Sequence, residues 1–569
     1  MRMPRIPQNI QIRDSETLAI RGLNLTENFT DGDLEYVKNI STDHYPYFEP
    51  IRKDDPIETA ATPDDVFYWD GKIIYLHTVI DQEFGENSAT FVYEVGNADP
   101  IAIYSYNFVE VVPRHFAAIS GKLLIMPDKA IIEKTEEGYT AYNAAGPQVS
   151  LSTAVYSGHT ITVDPSELDP GGTYGGFGTT IHIGQVLDIS GSSLNDGIMV
   201  VITDVDRETG VITVDKTLTD GTESNSWARM EGQGVPELEF ICSHNNRIWG
   251  CSTVVENGFK KQMIYASALG NPYVYDDYSS LIGGWTTEVE CDDDWTGCAA
   301  LPSTVLFFKE KKILRVLGDD PSEYAVYTSN CEGVKKGSWK SLLNINDAIF
   351  YLGAHGVYIY SGSIPTRISE RLGDRLYGDA VAGTDGVHYY IQMAEVDMDY
   401  ARQTPYTLFV YNIMQGFWTA NGESDEKFSF SQGNTLGVTY LKGGKLYMTN
   451  PANDSEGIEF EMILKPLYAT ITGSYNRQSQ VFGMKRYLKT SVRMECGDEG
   501  TYILYCKFDD GDWEEIGRRL PETPSSKKSG VDYYAIPNNH CDKFQMRITG
   551  KGNVRLLGIQ REYALAGRR

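Results

Sequence analysis

One phrase recurs along this chain and limits what it can fold into. An apolar, aromatic-rich run is followed by a two-residue polar or glycine turn and a second apolar run. Its longest form begins at Glu239: Phe240–Cys242, a turn at His244–Asn246, Arg247–Ser252, a polar loop, then Gln262–Ser267. Shorter forms are Phe67–Leu76 around Asp70-Gly71, His115–Met126 around Gly121-Lys122, and Val305–Gly318 around Lys309–Lys312. Ile349–Gly362, Val387–Gln392, Leu408–Asn412 with Phe417 and Trp418, and Leu436–Met448 continue the series. Short aromatic and β-branched runs broken by Asn and Gly are antiparallel strands. Asp-Gly also supplies the left-handed dihedrals of a tight hairpin.

Outside residues 145–235 the phrase returns roughly every 35–55 residues, the length of a four-stranded blade. The expectation is an all-β chain: a β-propeller of six to eight blades over 61–145 and 233–452. A closed ring of blades leaves no long sheet edge exposed. A large β-sandwich, or two, is the alternative, but it does not require the repeated hairpin. Residues 146–232 break the rhythm with short alternating strands at Gly158–Val163, Gly184–Gly191, Ile198–Val205 and Gly210–Asp215, an inserted small β-barrel or sandwich. Residues 453–569 read as a C-terminal β-sandwich-like domain, with strands at Lys485–Met494, Thr501–Phe508, Phe544–Gly550 and Val554–Tyr563 and a flexible loop at Pro521–Gly530. Residues 1–60 read as an N-terminal arm that lies on a neighbour or completes the last blade. Helix is confined to a turn or two within Ser369–Leu376.

The formal net charge of -28 opposes adhesion to nucleic acid or anionic membrane. No apolar run is long enough for a membrane span. The eight cysteines form no Cys-x-x-Cys pair, so buried thiols are expected; Cys242 and Cys251 are placed to face each other across a hairpin.

Chemical motifs are absent. There is no dinucleotide or phosphate-binding glycine loop, and the Gly-rich stretch Thr173–Gly178 precedes no helix. The nine histidines are scattered: His244 and His355 in turns, His388 in a strand, His540 beside Cys541 and Asp542. Asp509–Asp512 has part of a calcium-loop pattern without its twelfth-position glutamate. No catalytic, cofactor-binding or metal residue is assigned, and no cofactor is expected. Glycosidase propellers need converging carboxylates; Asp292–Asp294 offer acids without an assignable partner.

Several of the hairpins resemble those of a bacteriophage family. They are His244–Ser252, Ile264–Pro272, Phe307–Ile313, Gly333–Ser338 and Phe350–Gly362, with the turn Asp509–Trp513 and the strand ending at Gly550. The family is the tail nozzle, or lower tail tube, of short-tailed phages, and the likeness covers about 235–569 well and 1–145 loosely. The resemblance implies a structural, non-enzymatic virion protein, assembled in the host bacterial cytoplasm as a hexameric ring. DNA would be ejected through its lumen without specific binding. The implied partners are further copies of the chain, a portal or adaptor ring above, and tail fibre, spike or plug proteins. The candidate lumen or interface loops are Asp276, Asp277, Asp292, Asp293, Asp294 and Trp295. A carbohydrate-binding or host-recognition tail protein, or a propeller glycosidase, is the alternative.

Overall fold

The computed structural model describes residues 13–565, apart from 81–86, 107–110, 136–137, 145–147, 151–152, 169–180, 182, 225–228, 233, 276–280, 398–401, 404, 432–436, 450–456, 467–484, 498, 521–528 and 538–539. The chain is almost all β. Its helical content is one turn at Pro165–Leu168 and 3-10 turns at Trp339–Ser341 and Glu370–Leu372, among the described residues.

Seven four-stranded antiparallel sheets follow one another, each with its strands in chain order apart from one substitution in the seventh; the sixth carries a short extra strand. Their first strands are Asp65–Trp69, His115–Ile119, Phe240–His244, Gly297–Leu301, Leu343–Ile345, Tyr377–Thr384 and Ser429–Phe430. We number the sheets 1 to 7 in that order. The first two strands of several sheets close through two-residue turns with both residues left-handed: Asp70-Gly71, Ser120-Gly121, Asn245-Asn246 and Asn346-Asp347. Such turns match the right-handed twist of the strands they join.

The polar loop expected after Ser252 is instead a long hairpin. Arg247–Glu256 pairs with Phe259–Ala266, in register from Trp249 opposite Ala266 to Glu256 opposite Phe259. Asn257-Gly258, with φ of 50° and 82°, forms its tip. All eight cysteines are free thiols, four of them buried; Cys242 lies opposite Trp249 and Cys251 opposite Phe240, so the two do not face each other directly, and the Cys242 and Cys298 sulfurs lie 2.9 Å apart between sheets 3 and 4.

Neighbouring first strands touch from sheet 2 through sheet 7, and that of sheet 7 touches that of sheet 1. Sheets 1 and 2 share a core of Trp69, Leu76, Leu123 and Ile125. The outer strand of sheet 7 comes from the opposite end of the sequence: Asp55–Ile57 pairs with Lys445–Met448. The described part of the segment read as an arm thus pairs within its own chain. Arg13–Leu18 pairs with Val554–Leu565, and Leu34–Lys38 pairs with Phe460–Leu464.

These two pairings belong to two five-stranded sheets built mainly from residues 460–565. Their core is continuous with sheets 5 and 6: Val492, Tyr502, Ile548 and Leu556 share one cluster with Phe350, Tyr389 and Trp418. Leu23 bridges Leu34 on one side and Trp418 on the other. Between sheets 2 and 3, residues 148–232 form an eight-stranded assembly. It has its own core, including Tyr156, Ile161, Leu187, Ile189 and Ile212. Among the described residues no helix is long and apolar enough to cross a membrane.

Candidate functional site

Among the described residues, two cavities have room for a small ligand. The first, of about 470 Å³, lies where residues 36–54 cross sheets 6 and 7. Its walls carry the aromatic rings of Tyr36, Tyr390, Phe428, Phe430 and Tyr440, with Phe428 stacked on Tyr440 at 5.0 Å. The acids Asp43, Glu49, Asp54, Asp385 and Glu423 line it as well. The buried Asn421 Oδ1, also in the lining, has no hydrogen-bond partner among the described residues. Buried acceptors are normally satisfied, so this one marks a place for a ligand donor or a water.

The chemistry of this cavity centres on His388. Sheet 6 turns from Thr384 to His388 through Asp385-Gly386-Val387, with Gly386 at φ 87°. Asp385 Oδ1 accepts the backbone N–H groups of Val387 at 2.8 Å and His388 at 2.6 Å, which is what Asp does at a hairpin tip. This fixes the carboxylate and leaves Oδ2 facing His388 Nδ1 at 3.0 Å, where it also accepts the Tyr390 hydroxyl at 3.0 Å. From the other side, the turn after Ile40–Ser41 brings Asp43 Oδ1 to 3.6 Å from the same Nδ1. The far nitrogen, Nε2, lies 3.4 Å from Thr42 Oγ1 and 3.3 Å from Asn412 Nδ2, and that amide donates to Thr42 Oγ1 at 3.1 Å.

One nearly buried imidazole therefore stands between two carboxylates; the side chains are 3%, 24% and 33% exposed for His388, Asp385 and Asp43. Burial alone would lower the His388 pKa, but the hydrogen bond to Asp385 and the charges of Asp385 and Asp43 outweigh it and raise the value. Asp385 is shifted the other way. Burial would raise its pKa, but the His388 hydrogen bond and charge and the backbone donors hold it below the usual carboxylate range. Burial, reinforced by Asp385 and Asp43, pushes the Tyr390 phenol well up, so it is a donor and not a phenolate. Tyr440 donates to Asp54, and its phenol is pushed up by burial and by that carboxylate.

The second cavity, of about 400 Å³, is lined by residues from the first strand of all seven sheets. Its charges are paired. Asp65 accepts from Lys340 at 2.8 Å, Ser429 at 3.1 Å and the Arg114 backbone at 3.1 Å. The Arg114 guanidinium pairs with Asp128 at 3.0 Å, and both side chains are fully buried. His115 packs at a 31° tilt against Trp339, ring centroids 3.8 Å apart, and burial, with the Lys340 charge second, pushes its pKa down to about 3.

The acids singled out from sequence lie elsewhere. Asp276 and Asp277 fall outside the described residues. Asp292 is ion-paired with Lys309 and Lys312, and Asp294 with Lys336 at 2.6 Å. The Asp293 carbonyl accepts from Gln262 at 2.8 Å. Trp295 is buried, donates to the Ser252 carbonyl at 3.2 Å, and lies under the Lys309 ammonium. None of these four lines either cavity. Asp509 accepts the N–H groups of Asp542 and Lys543, and Asp510 pairs with Lys543, so that acidic run ties a turn together. Among the described residues, the one His/Cys/Asp/Glu group arranged to hold a metal ion is Asp43, Asp385 and His388, whose ligand atoms lie within 4.8 Å of one another. Sequence reasoning left His388 as a solitary strand histidine.

No family model and no curated protein matches the chain. Solved structures similar to it include the β-propeller domain of the Trilobed protease from Pyrococcus furiosus: 11% identity over 71% of this chain and 95% of that one, TM-score 0.32. The phage phi92 endosialidase has 10% identity over 86% and 79%, TM-score 0.26. An exo-β-1,3-galactanase from Phanerochaete chrysosporium has 10% identity over 75% and 98%, TM-score 0.17. Superpositions this loose carry no argument about activity.

The reading as a phage tail nozzle, a non-enzymatic virion tube for DNA ejection, is corrected on these grounds. No family model supports it, and the chain brings Asp43, Asp385 and His388 together in a cavity lined by aromatic rings. The segments behind the resemblance are local: His244–Ser252, Phe307–Ile313 and Phe350–Gly362 include turns between adjacent strands of sheets 3, 4 and 5, and Asp509–Trp513 is a turn in the five-stranded sheets, so they carry no signature beyond antiparallel pairing. The assignment of no enzymatic role is corrected too. A passive tube has no use for two carboxylates and a buried imidazole brought together in a walled cavity from distant parts of the chain.

Proposed function

We propose that this chain is a saccharide-binding protein of propeller architecture, and that its ligand enters the cavity between residues 36–54 and sheets 6 and 7. The single observation that carries the reading is the composition of that cavity: aromatic rings in its lining, and Asp43, Asp385 and His388 converging among them. Sugars present apolar C–H faces and a rim of hydroxyls. Aromatic rings suit the first, and fixed carboxylates and amides suit the second. The unmet acceptor of Asn421 fits a hydroxyl donor. Hydrolysis is the second reading, favoured by the five carboxylates in the lining, since glycoside cleavage runs on a pair of them.

In this reading the seven sheets are blades. Support comes from the axial cavity that all seven first strands line, and from Asp55–Ile57 completing the seventh sheet. Residues 148–232 are then a domain inserted between blades 2 and 3, and residues 460–565 a sandwich-like domain docked on blades 5 and 6.

The test is a panel of neutral and acidic oligosaccharides, scored for binding and for reducing-end release. The wild-type chain is expected to bind or cleave at least one, and D43N and D385N to lose at least about tenfold. A folded chain that neither binds nor cleaves any glycan, or variants that bind as the wild type does, overturns the proposal.

A further inference from the structure

We infer that Asp43, Asp385 and His388 bind a divalent transition-metal cation of the manganese or zinc class, which pins the N-terminal turn to the tip of sheet 6. The inference deepens the saccharide reading and rests on it for what the ion does there; whether the ion binds is a separate measurement.

Spacing comes first. Ligands about 2.0–2.2 Å from one ion stand roughly 3–3.5 Å from each other. Here Asp385 Oδ2 and His388 Nδ1 are 3.0 Å apart, and Asp43 Oδ1 and Nδ1 are 3.6 Å apart. Small rotations admit an ion at the point where these atoms converge.

The surroundings are those of a ligand set. A metal-binding imidazole passes its other N–H to a neighbour that fixes the ring. Nε2 has Thr42 Oγ1 at 3.4 Å, and Thr42 is itself held by Asn412. Asp385 is steadied by two backbone N–H groups on one oxygen and the Tyr390 hydroxyl on the other. Among the described residues the Asp43 carboxylate makes no hydrogen bond besides its approach to His388, although the Asp43 backbone is anchored by Ser41 Oγ at 3.0 Å. Of the three, Asp43 has a carboxylate committed to nothing else.

The donor set selects the ion. One imidazole with two carboxylates suits manganese or zinc better than calcium or magnesium, which prefer all-oxygen sets. Two anions balance the divalent charge. Three protein ligands leave coordination positions open, and the cavity beside them is where water or a pair of sugar hydroxyls would complete the shell.

The experiment uses the full chain stripped with EDTA and titrated with Mn²⁺, followed by calorimetry and by the electron paramagnetic resonance signal of free Mn²⁺, with thermal melts alongside. The expected result is one Mn²⁺ per chain, a melting temperature that rises with Mn²⁺, and at least about tenfold weaker binding in D43N and H388Q. D43N is the decisive variant, because the Asp43 side chain closes no turn and its loss leaves the fold intact. No binding of Mn²⁺ or Zn²⁺ by the wild type, or binding unchanged in D43N and H388Q, overturns the inference. Glycan binding that persists in the stripped chain with no metal site overturns the cation and leaves the saccharide reading standing. Metal binding without any glycan does the reverse.

Discussion

The two cavities differ in how they handle charge. In the cavity lined by the seven first strands, which the proposed propeller puts on its axis, every acid has a base. Asp65 faces Lys340 across sheets 1 and 5, and Arg114 and Asp128 are paired in complete burial. These residues extend from strands and short turns beside the seven first strands, and their charges cancel where burial would otherwise make them costly. The peripheral cavity has a paired acid too, Glu49 with Arg555 at 2.8 Å, and the bases Lys38, Arg52 and Lys442 in its lining, but there two carboxylates, Asp43 and Asp385, share one imidazole, and they come from an N-terminal turn and a turn tip instead of from paired strands. Opposed charges placed in the centre read as architecture. An excess of anionic groups held beside aromatic walls reads as a site prepared for something not in the chain. Size does not separate the two cavities; charge balance does.

The largest effect that could break this comparison lies in the centre. Replacing Arg114 with Ala takes the cation from the buried Asp128 carboxylate, which keeps its hydrogen bond from Thr90, and is expected to cost about 3–5 kcal/mol in urea unfolding. A loss under about 1 kcal/mol would mean that the pair is not holding the axial region.

A smaller effect depends on pH. Burial would raise the Asp65 pKa, but the charge and hydrogen bond of Lys340 and two backbone donors hold it below the usual carboxylate value. A depressed carboxylate contributes stability that is present above its unfolded pKa of about 3.9 and is lost as pH falls through its folded value. The D65N variant should therefore be less stable than the wild type at neutral pH by about 1–3 kcal/mol. The gap should close as the pH drops below about 4. Denaturation curves for both proteins between pH 7 and pH 3 check this, and a constant or widening gap contradicts it.

The smallest effect on stability sharpens the comparison from the other side. D43N should move the unfolding free energy by no more than about 0.5 kcal/mol in metal-free buffer, as for a surface change that breaks no packing. A large loss of stability would make Asp43 another architectural acid and erase the distinction between the cavities.

Much of the fold is legible in the sequence, because its hairpins are local. Asp70-Gly71, Asn245-Asn246 and the apolar runs around them carry both the strand periodicity and the turn dihedrals within a dozen residues. Asn257-Gly258 carries the same signal. It is obscured by the charged Glu256, Lys260 and Lys261 on either side, which sit at the exposed end of sheet 3 and so lack the apolar cue. The pairing of Asp55–Ile57 with Lys445–Met448 has no local cause: closure is chosen by the edge that the last sheet leaves open. The site is less legible still. Asp385-Gly386 signals a turn and His388 opens a strand, but nothing in either stretch refers to Asp43. Their meeting depends on the path of the N-terminal segment over sheets 6 and 7. That path is set by pairings such as Leu34–Lys38 with Phe460–Leu464, made far along the chain.

The most direct test of the central claim is hydrogen–deuterium exchange on the full chain, with and without the best-binding oligosaccharide from the panel. The account predicts protection concentrated in residues 38–54 and 385–392, the rim of the peripheral cavity, with little change at 115–118, 240–243 and 297–300 around the axis. Protection at the axial strands and none at the periphery would contradict it, and would move the site to the cavity read here as architecture.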